Sequence, residues 1–299
     1  MNPSELDRLS TERTNPRTAD IDRLETLGVL ELLNDEDQRV APAVRAALPS
    51  IARAVDLTLE RWQRGGRVIL FGAGTSGRLA MLDAAELRPT FGVPPERYVA
   101  RLAGSASAFE SAVEGAEDDQ AAGALAAGDL SAVDVAFGIA ASGRTPWVLG
   151  ALAHARTVGA LCVGLACVTR PAIARCVDVS IEVDTGAEAI AGSTRMKAGT
   201  AQKLVLNAFS TALMIRLGKV YGNLMVDVQA SNSKLRRRAV RLVSEAAGVD
   251  SRTAETALAA ADGHVKVAIA TLRLGVSVDE ATTRLATADG RLRAVLGET

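Results

Sequence analysis

The chain has 299 residues, of which 48% are hydrophobic, so it can bury a full core and form one large domain or one domain with a small appendage. It has 34 Lys and Arg against 35 Asp and Glu, and this balance lacks the positive excess typical of nucleic-acid binders. Three cysteines without metal-ligand spacing, and no apolar run of membrane-span length, predict a cytoplasmic protein with neither signal peptide nor membrane anchor.

The first 65 residues are predicted to form a polar arm and two helices that pack on the domain that follows. Residues 4–21 are rich in Ser, Thr, Asn and Pro, a composition typical of a segment that lies on a surface. Apolar residues recur at helical spacing in residues 21–34 and again from Ile51 to Trp62, where Gly65 and Gly66 end the helix.

The first strand is predicted at residues 68–71, an unbroken apolar run that closes on the loop Gly-Ala-Gly-Thr-Ser-Gly-Arg at 72–78. A helix over 79–86 follows, which Pro89 cannot extend. The loop sets backbone N–H groups and two hydroxyls at a helix N-terminus, where an anion is favoured. Its glycines also match the dinucleotide pattern G-x-G-x-x-G, which alone does not separate a pyrophosphate from a sugar phosphate.

The next elements predict a doubly wound α/β domain over residues 66–235. Further strands are expected at 98–102, 133–140, 160–166 and 177–183, and a helix at 106–119. Strands that alternate with helices in this way favour a mostly parallel sheet.

A second loop, Ala-Ser-Gly-Arg-Thr-Pro at 141–146, repeats the Ser-Gly-Arg triplet of the first. Thr145 can cap the following helix, with Pro146 at its first position. Two such loops at the carboxyl ends of strands in one sheet can bind one phosphate at a topological switch point. The phosphate-binding residues predicted from the two loops are Gly74, Thr75, Ser76, Ser142, Gly143, Arg144 and Thr145.

Residues 184–200 form a further Gly/Ser/Thr-rich connection, in which Glu188, Ser193 and Lys197 are candidate substrate contacts. A long apolar helix reaches Leu217. From 236 to 299 the chain is almost entirely Ala, Leu, Val, Arg and Asp at helical spacing, with glycine breaks, which predicts a separate three-helix module.

The sequence argues against a nicotinamide cofactor and against a metal. A Rossmann site needs an acidic residue about 20 residues after its glycines, where this chain has Leu-Ala-Gly-Ser at 102–105. No cluster of metal-ligand residues is present, so acid/base chemistry falls to carboxylates, of which Glu86, Glu117 and Glu188 lie nearest the loops.

Several segments together resemble the N-acetylmuramic acid 6-phosphate etherase family. They are the loop 72–78 and residues 82–86, 113–118, 141–146 and 192–203, and the likeness runs from about residue 18 to the end. One departure is Leu87-Arg88 before Pro89, where a small or Pro-rich pair is expected.

The resemblance implies a sugar isomerase (SIS) fold and cleavage of the D-lactyl ether of a 6-phosphosugar, with no cofactor. It also implies Glu86 as proton donor and Glu117 as the second acid/base. Glu86 lies nine residues after Gly77, about 13 Å along a continuous helix. The phosphate on C6 lies much nearer to C3 than that in any sugar. We therefore expect either that the helix ends early or that Glu86 serves the neighbouring subunit of a homodimer.

Two other functions stay open at this point. The glucokinase regulatory protein resembles the same family, so the chain could be a non-catalytic sensor of phosphosugars. An aldose/ketose phosphosugar isomerase is the third reading, with Glu188 as its base.

Overall fold

The computed structural model describes residues 9–105, 107–111, 113–229 and 232–298. The chain divides into two compact units. The first comprises the residues up to Ala84 and Glu96–Ser210; the second comprises Ala85–Pro95 and the residues from Thr211 onward. The second unit therefore starts earlier than residue 236, where the sequence predicted the terminal module. None of the described helices is long and apolar enough to cross a membrane.

The first unit contains a five-stranded parallel sheet in the order β2-β1-β3-β4-β5. Its strands are β1 (Val68–Gly72), β2 (Tyr98–Leu102), β3 (Val135–Ile139), β4 (Leu161–Ala166) and β5 (Val179–Glu182). The predicted doubly wound sheet is confirmed. The chain adds β2 on one side of β1 and then β3 on its other side, so the direction in which strands are added reverses between β1 and β3. This is the topological switch point, where ligands bind at the carboxyl ends of the strands.

Helices cover both faces of this sheet. They are α1 (Thr26–Asp37), α2 (Val40–Ala46), α3 (Leu48–Gln63), α4 (Gly74–Phe91), α5 (Ser107–Glu110), α6 (Gln120–Ala126), α7 (Pro146–Thr157) and α8 (Lys197–Arg216). On one face, Phe71 of β1 meets Trp147 of α7 with ring centroids 6.0 Å apart. On the other, Phe137 of β3 meets Phe209 of α8 at 4.9 Å. Aromatic residues thus join the sheet to a helix on each face.

Two prolines lie within helices, at positions where the sequence did not predict a helix. Three helices precede β1 among the described residues, where two were predicted. The additional helix is α2, which tolerates Pro42 because the residue lies in the first turn, where a backbone N–H has no partner within the helix. Pro89 was expected to lie beyond the end of its helix, but α4 runs unbroken to Phe91. Pro89 falls in the last turn of α4, and Gly92 then ends the helix at a φ of +63°.

The predicted helix at 106–119 is largely wrong. Only α5 is helical within it, and residues 114–118 form turns. Gly115 has a φ of +74°, a left-handed conformation incompatible with an α-helix. Ala106 and Ala112 lie outside the described residues. The sequence also missed α6, which begins where the Asp119 side chain accepts the backbone N–H of Ala122 at 2.8 Å.

The second unit is helical. Its helices from residue 233 onward are α9 (Ser233–Ala247), α10 (Ser251–Ala260), α11 (Val265–Leu274), α12 (Val278–Thr287) and α13 (Leu292–Leu296). Five helices therefore stand in the described part of this module where the sequence predicted three. Gly248 and Gly275 end α9 and α11 in left-handed conformations, as the predicted glycine breaks require. Apolar residues of α9 to α12 share one core.

Candidate active site

A cavity of about 350 Å³ lies in the first unit, at the carboxyl ends of β1 and β3. It brings together both predicted loops, the turn before α6, and the N-terminal arm. The side chains and backbone that line it belong to Leu9, Glu12, Ala73, Gly74, Thr75, Ser76, Glu117, Asp118, Ala141, Ser142, Arg144, Thr145, Pro146 and Thr194. Of the predicted phosphate-binding residues, all except Gly143 line this one cavity.

The first loop is shaped by a close approach of strand and helix. A Cβ on Gly77 would lie 2.3 Å from Leu102 Cδ1 and 2.6 Å from the Gly72 carbonyl oxygen. A Cβ on Gly72 would in turn lie 2.6 Å from the Gly77 nitrogen. Both positions therefore require glycine. The close contact brings the first turn of α4, including Ser76, onto the end of β1, so its amides lie at the cavity.

The second loop holds its shape through Gly143, which has a φ of +66°. Its N–H donates to the Ala140 carbonyl and its own carbonyl accepts from Ile173, both at 2.9 Å. Pro146 occupies the first position of α7, as predicted. Thr145 precedes it, but its side chain makes no capping hydrogen bond, so that part of the prediction is wrong.

The electrostatics of the cavity suit a phosphate at the end where two helices begin. Two helices, α4 and α7, begin at its wall, and the free amides and positive dipole end of each favour an anion. Three carboxylates, from Glu12, Glu117 and Asp118, also line it. The Glu117 carbonyl accepts the Trp147 N–H at 2.9 Å, which fixes this glutamate to the first turn of α7.

Glu12 and Thr194 are cavity residues that the sequence reasoning did not select. The arm around Glu12 is held by long-range hydrogen bonds: the Gly192 N–H donates to the Thr11 carbonyl at 3.2 Å, and the Ser10 hydroxyl donates to Asp184 at 2.9 Å. Thr11 itself is fully buried. No local sequence pattern signals such contacts. Thr194 directly follows Ser193, which was predicted as a substrate contact. Ser193 is half-buried and is not among the residues that line the cavity.

Glu188 and Lys197 lie in the protein interior instead of the cavity wall. The Glu188 carboxylate accepts the backbone N–H groups of Lys197 and Ala198 at 3.0 and 2.9 Å, and so caps α8. Burial raises the pKa of Glu188, and the two backbone donors oppose that rise. Both hydrogen bonds join Glu188 to the first turn of α8, and Glu188 is not among the residues that line the cavity.

The Lys197 ammonium belongs to a buried ion pair. Its Nζ donates to Glu36 at 2.5 Å and to the Ala187 carbonyl at 2.6 Å. Glu36 also accepts from Arg17 at 2.5 Å and from Asn15 at 2.8 Å. Hydrogen bonds from Arg17 and then Lys197, opposed by burial, lower the pKa of Glu36 to about 2. This network fastens the N-terminal arm to the start of α8.

Glu86 is exposed on α4, within the segment Ala85–Pro95 that belongs to the second unit. Of the two alternatives expected for Glu86, an early end of the helix is not found, since α4 is continuous past this residue. In the described ranges of the chain, no group of three or more His, Cys, Asp or Glu side chains could hold a metal ion.

Two family models match the chain. One describes the N-terminal SIS domain of glucokinase regulatory protein and covers residues 50–156. The other describes the C-terminal lid domain of glucokinase regulatory protein and covers residues 222–262. The first contains both loops of the cavity, and the second lies wholly in the second unit.

Curated relatives match over nearly the whole chain. The N-acetylmuramic acid 6-phosphate etherase of Mycolicibacterium smegmatis is 53% identical over 98% of this chain and 99% of its own length. That of Halalkalibacterium halodurans is 52% identical over 92% of this chain and 93% of its own. Among solved structures, a phosphoheptose isomerase from Francisella tularensis superposes on 64% of this chain and all of its own, with a TM-score of 0.50 and 17% identity. That likeness confirms the SIS fold.

Proposed function

The chain belongs to the N-acetylmuramic acid 6-phosphate etherase family, and on that premise we propose that it cleaves the D-lactyl ether of N-acetylmuramic acid 6-phosphate. The products are N-acetylglucosamine 6-phosphate and D-lactate. The observation that carries the proposal is identity above one half with named etherases over nearly the full chain. We also propose that the enzyme is cytoplasmic, which its three free cysteines support, and that it acts in the recycling of peptidoglycan sugars, which its proposed substrate supports.

The phosphate is proposed to bind between the two loops. Ser76, Ser142 and Thr145 offer hydroxyls there, and the first turn of α4 offers backbone N–H groups. Arg144 adds a positive charge to the same wall. The amides and dipoles of two helices support a dianion at this end, which leaves the carboxylates of the cavity to the sugar.

The chemistry is an elimination followed by hydration. In the open-chain sugar, the C2 hydrogen is α to the aldehyde and the lactyl ether at C3 is β to it. A base removes the C2 proton, the C3–O bond breaks as the C2–C3 double bond forms, and the departing oxygen takes a proton to give lactate. Water then adds at C3 and a proton returns to C2. Carboxylates can perform each of these proton transfers.

Glu117 and Glu86 are proposed as the two acid/base groups, with Glu86 as the donor to the ether oxygen. Glu117 lines the cavity, which supports its role. Glu86 follows Gly77 by nine residues of continuous helix, a rise of about 13 Å. Since the helix does not end early, we propose that Glu86 acts in the site of a partner subunit, within a homodimer.

Mixed dimers test this assignment. Subunits with Glu86→Gln and subunits with both Ser76→Ala and Ser142→Ala are each expected to be inactive. When the two are co-expressed, one intact site forms in each mixed dimer only if the glutamate works in trans. Mixed dimers of confirmed mass that show no turnover would return Glu86 to its own subunit.

The reaction itself is tested by proton NMR of the purified protein with N-acetylmuramic acid 6-phosphate. Free lactate is expected, and in deuterated oxygen-18 water the amino sugar should carry deuterium at C2 and oxygen-18 at C3. Oxygen-18 in lactate would mean that the other C–O bond breaks, which contradicts elimination.

A phosphosugar sensor is the second candidate, favoured by the matches to the glucokinase regulatory protein domains. A sensor would bind N-acetylglucosamine 6-phosphate or its lactyl ether without releasing lactate. The same NMR experiment, together with calorimetric binding of both sugars, therefore separates the two functions.

A further inference from the structure

The proposed reaction needs a step besides the proton transfers assigned to Glu86 and Glu117. Hexose 6-phosphates exist in water almost wholly as closed rings, whereas elimination at C2 and C3 requires the aldehyde. Ring opening moves a proton from the C1 hydroxyl to the ring oxygen O5. A group that accepts and returns a proton at this edge of the sugar would accelerate it.

Glu12 is a carboxylate brought to the cavity by the N-terminal arm. Its Oε2 lies beside Gly192, where a Cβ on that glycine would stand 3.4 Å away, and Gly192 is held to Thr11 by a backbone hydrogen bond. Leu9, three residues before Glu12, is buried in the same core cluster as Phe71 and Trp147. After Glu12, the Asn15 side chain donates to Glu36 at 2.8 Å. The arm is therefore anchored before and after this residue, and its carboxylate is positioned in advance.

Glu12 and Glu117 approach the cavity from different elements. Glu12 lies beside the segment 192–199, and Gly199 of that segment packs against Thr75 of the first loop. Glu117 is bonded through its carbonyl to Trp147, beside the second loop. The two carboxylates thus reach the cavity from different segments, Glu12 beside the segment that packs on the first loop and Glu117 beside the second loop.

A 6-phosphosugar has two edges that leave C5 in opposite directions. One runs through O5 to C1, and the other runs through C4 to C3. With the phosphate between the loops, two carboxylates that enter the cavity from different segments can act on different edges. Since Glu117 is proposed to act at C2 and C3, the edge with O5 and C1 is left to Glu12.

We propose that Glu12 opens the sugar ring. Its carboxylate takes the proton of the C1 hydroxyl, the electrons of that O–H bond form the C1 carbonyl, and the C1–O5 bond breaks. The carboxylic acid then returns the proton to O5, so Glu12 ends as it began. Because O1 and O5 are both bonded to C1, the two oxygens of one carboxylate can reach both. This inference rests on the proposed function for its place in turnover, although ring opening can be measured by itself.

The test uses N-acetylglucosamine 6-phosphate, the product, whose α and β anomers interconvert only through the open chain. The whole protein is added, and anomer exchange is followed by NMR saturation transfer while C2 exchange is followed in deuterated water. The wild type should accelerate both. Glu117→Gln should retain the anomer exchange and lose C2 exchange. Glu12→Gln should lose about 100-fold of the accelerated anomer exchange, in the range found for acid/base catalysis.

Three controls separate chemistry from structure. Glu12→Gln should bind N-acetylglucosamine 6-phosphate within about threefold of the wild type, since a glutamine fills the same space. Glu12→Asp keeps the carboxylate and should recover part of the exchange. Glu31→Gln removes an exposed carboxylate from α1 and should match the wild type in every measurement.

Each result decides the proposal. It is overturned if Glu12→Gln accelerates anomer exchange like the wild type, if the wild type does not accelerate it, or if Glu12→Gln and Glu117→Gln lose it equally. Failure of the etherase proposal is a different result, namely anomer exchange that depends on Glu12 without any release of lactate.

Discussion

Replacing Lys197 by Met is expected to destabilise the first unit. Lys197 is 1% exposed and Glu36 is 2% exposed, so the substitution leaves a buried carboxylate without one of its cations. Removing one partner of a buried ion pair costs about 3–5 kcal/mol. Because Arg17 and Asn15 still donate to Glu36, we expect a loss of about 2–4 kcal/mol in the free energy of unfolding.

The pKa of Glu36 gives a second measure of the same network. Arg17, followed by Lys197, lowers it from the ordinary value of 4.5 to about 2, which corresponds to about 3 kcal/mol of stabilisation. A carboxyl with a lowered pKa in the folded state contributes stability above pH 4.5 and loses it as the pH falls towards 2. The wild type should lose this stability on acidification, and the Lys197→Met variant should lose less of it.

Tryptophan fluorescence is the assay, because both tryptophans, Trp62 and Trp147, lie in the first unit and report its unfolding in urea. Lys203→Met is the matched control, since Lys203 is exposed on the same helix and should change stability by less than about 0.5 kcal/mol. The reasoning is refuted if Lys197→Met unfolds at the same urea concentration as Lys203→Met and yet cannot bind N-acetylglucosamine 6-phosphate. Lys197 would then be a ligand contact.

Three further predictions concern the cavity and its loops. Ser76→Ala should weaken binding of N-acetylglucosamine 6-phosphate by about 1.5–3 kcal/mol, measured by calorimetry, and an unchanged affinity would count against the phosphate site. Gly77→Ala should destabilise the first unit by about 1–3 kcal/mol in urea, because its Cβ meets Leu102 and the Gly72 carbonyl; Gly28→Ala within α1 meets no such clash and is the control, which should lose no stability. Lactate release should survive EDTA, and its loss with recovery on adding one divalent metal would refute the carboxylate mechanism.

The strands and loops of the first unit were predictable because their signals are local. A strand buried on both faces is an uninterrupted apolar run, as at β1, β3 and β4, and each run ends at the glycine or small residue where the chain turns. The helix boundaries were less predictable, since Pro42 and Pro89 fall where a helix tolerates them. Gly115 shows the converse, because one left-handed glycine outweighs the helical spacing around it.

The charged residues of 184–200 could not be interpreted from spacing. Glu188 and Lys197 occur in a loop of the right composition for substrate binding, but the structure pairs both of them with other groups of the protein. Glu188 accepts the amides of the helix that follows it, which is a local contact. Lys197 pairs with Glu36, which is 161 positions away, and no local pattern carries that information.

The same long-range pairing explains why the sequence also missed Glu12. The arm from residue 9 to 24 forms isolated 3-10 turns, so it has no periodicity that could indicate a buried face. It is placed instead by Asn15, whose side chain bonds Glu36 and the Ala187 carbonyl, and by Thr11, which bonds Gly192. The ion pair of Lys197 therefore acts at a distance from the cavity, because it holds the arm that delivers a carboxylate to the cavity.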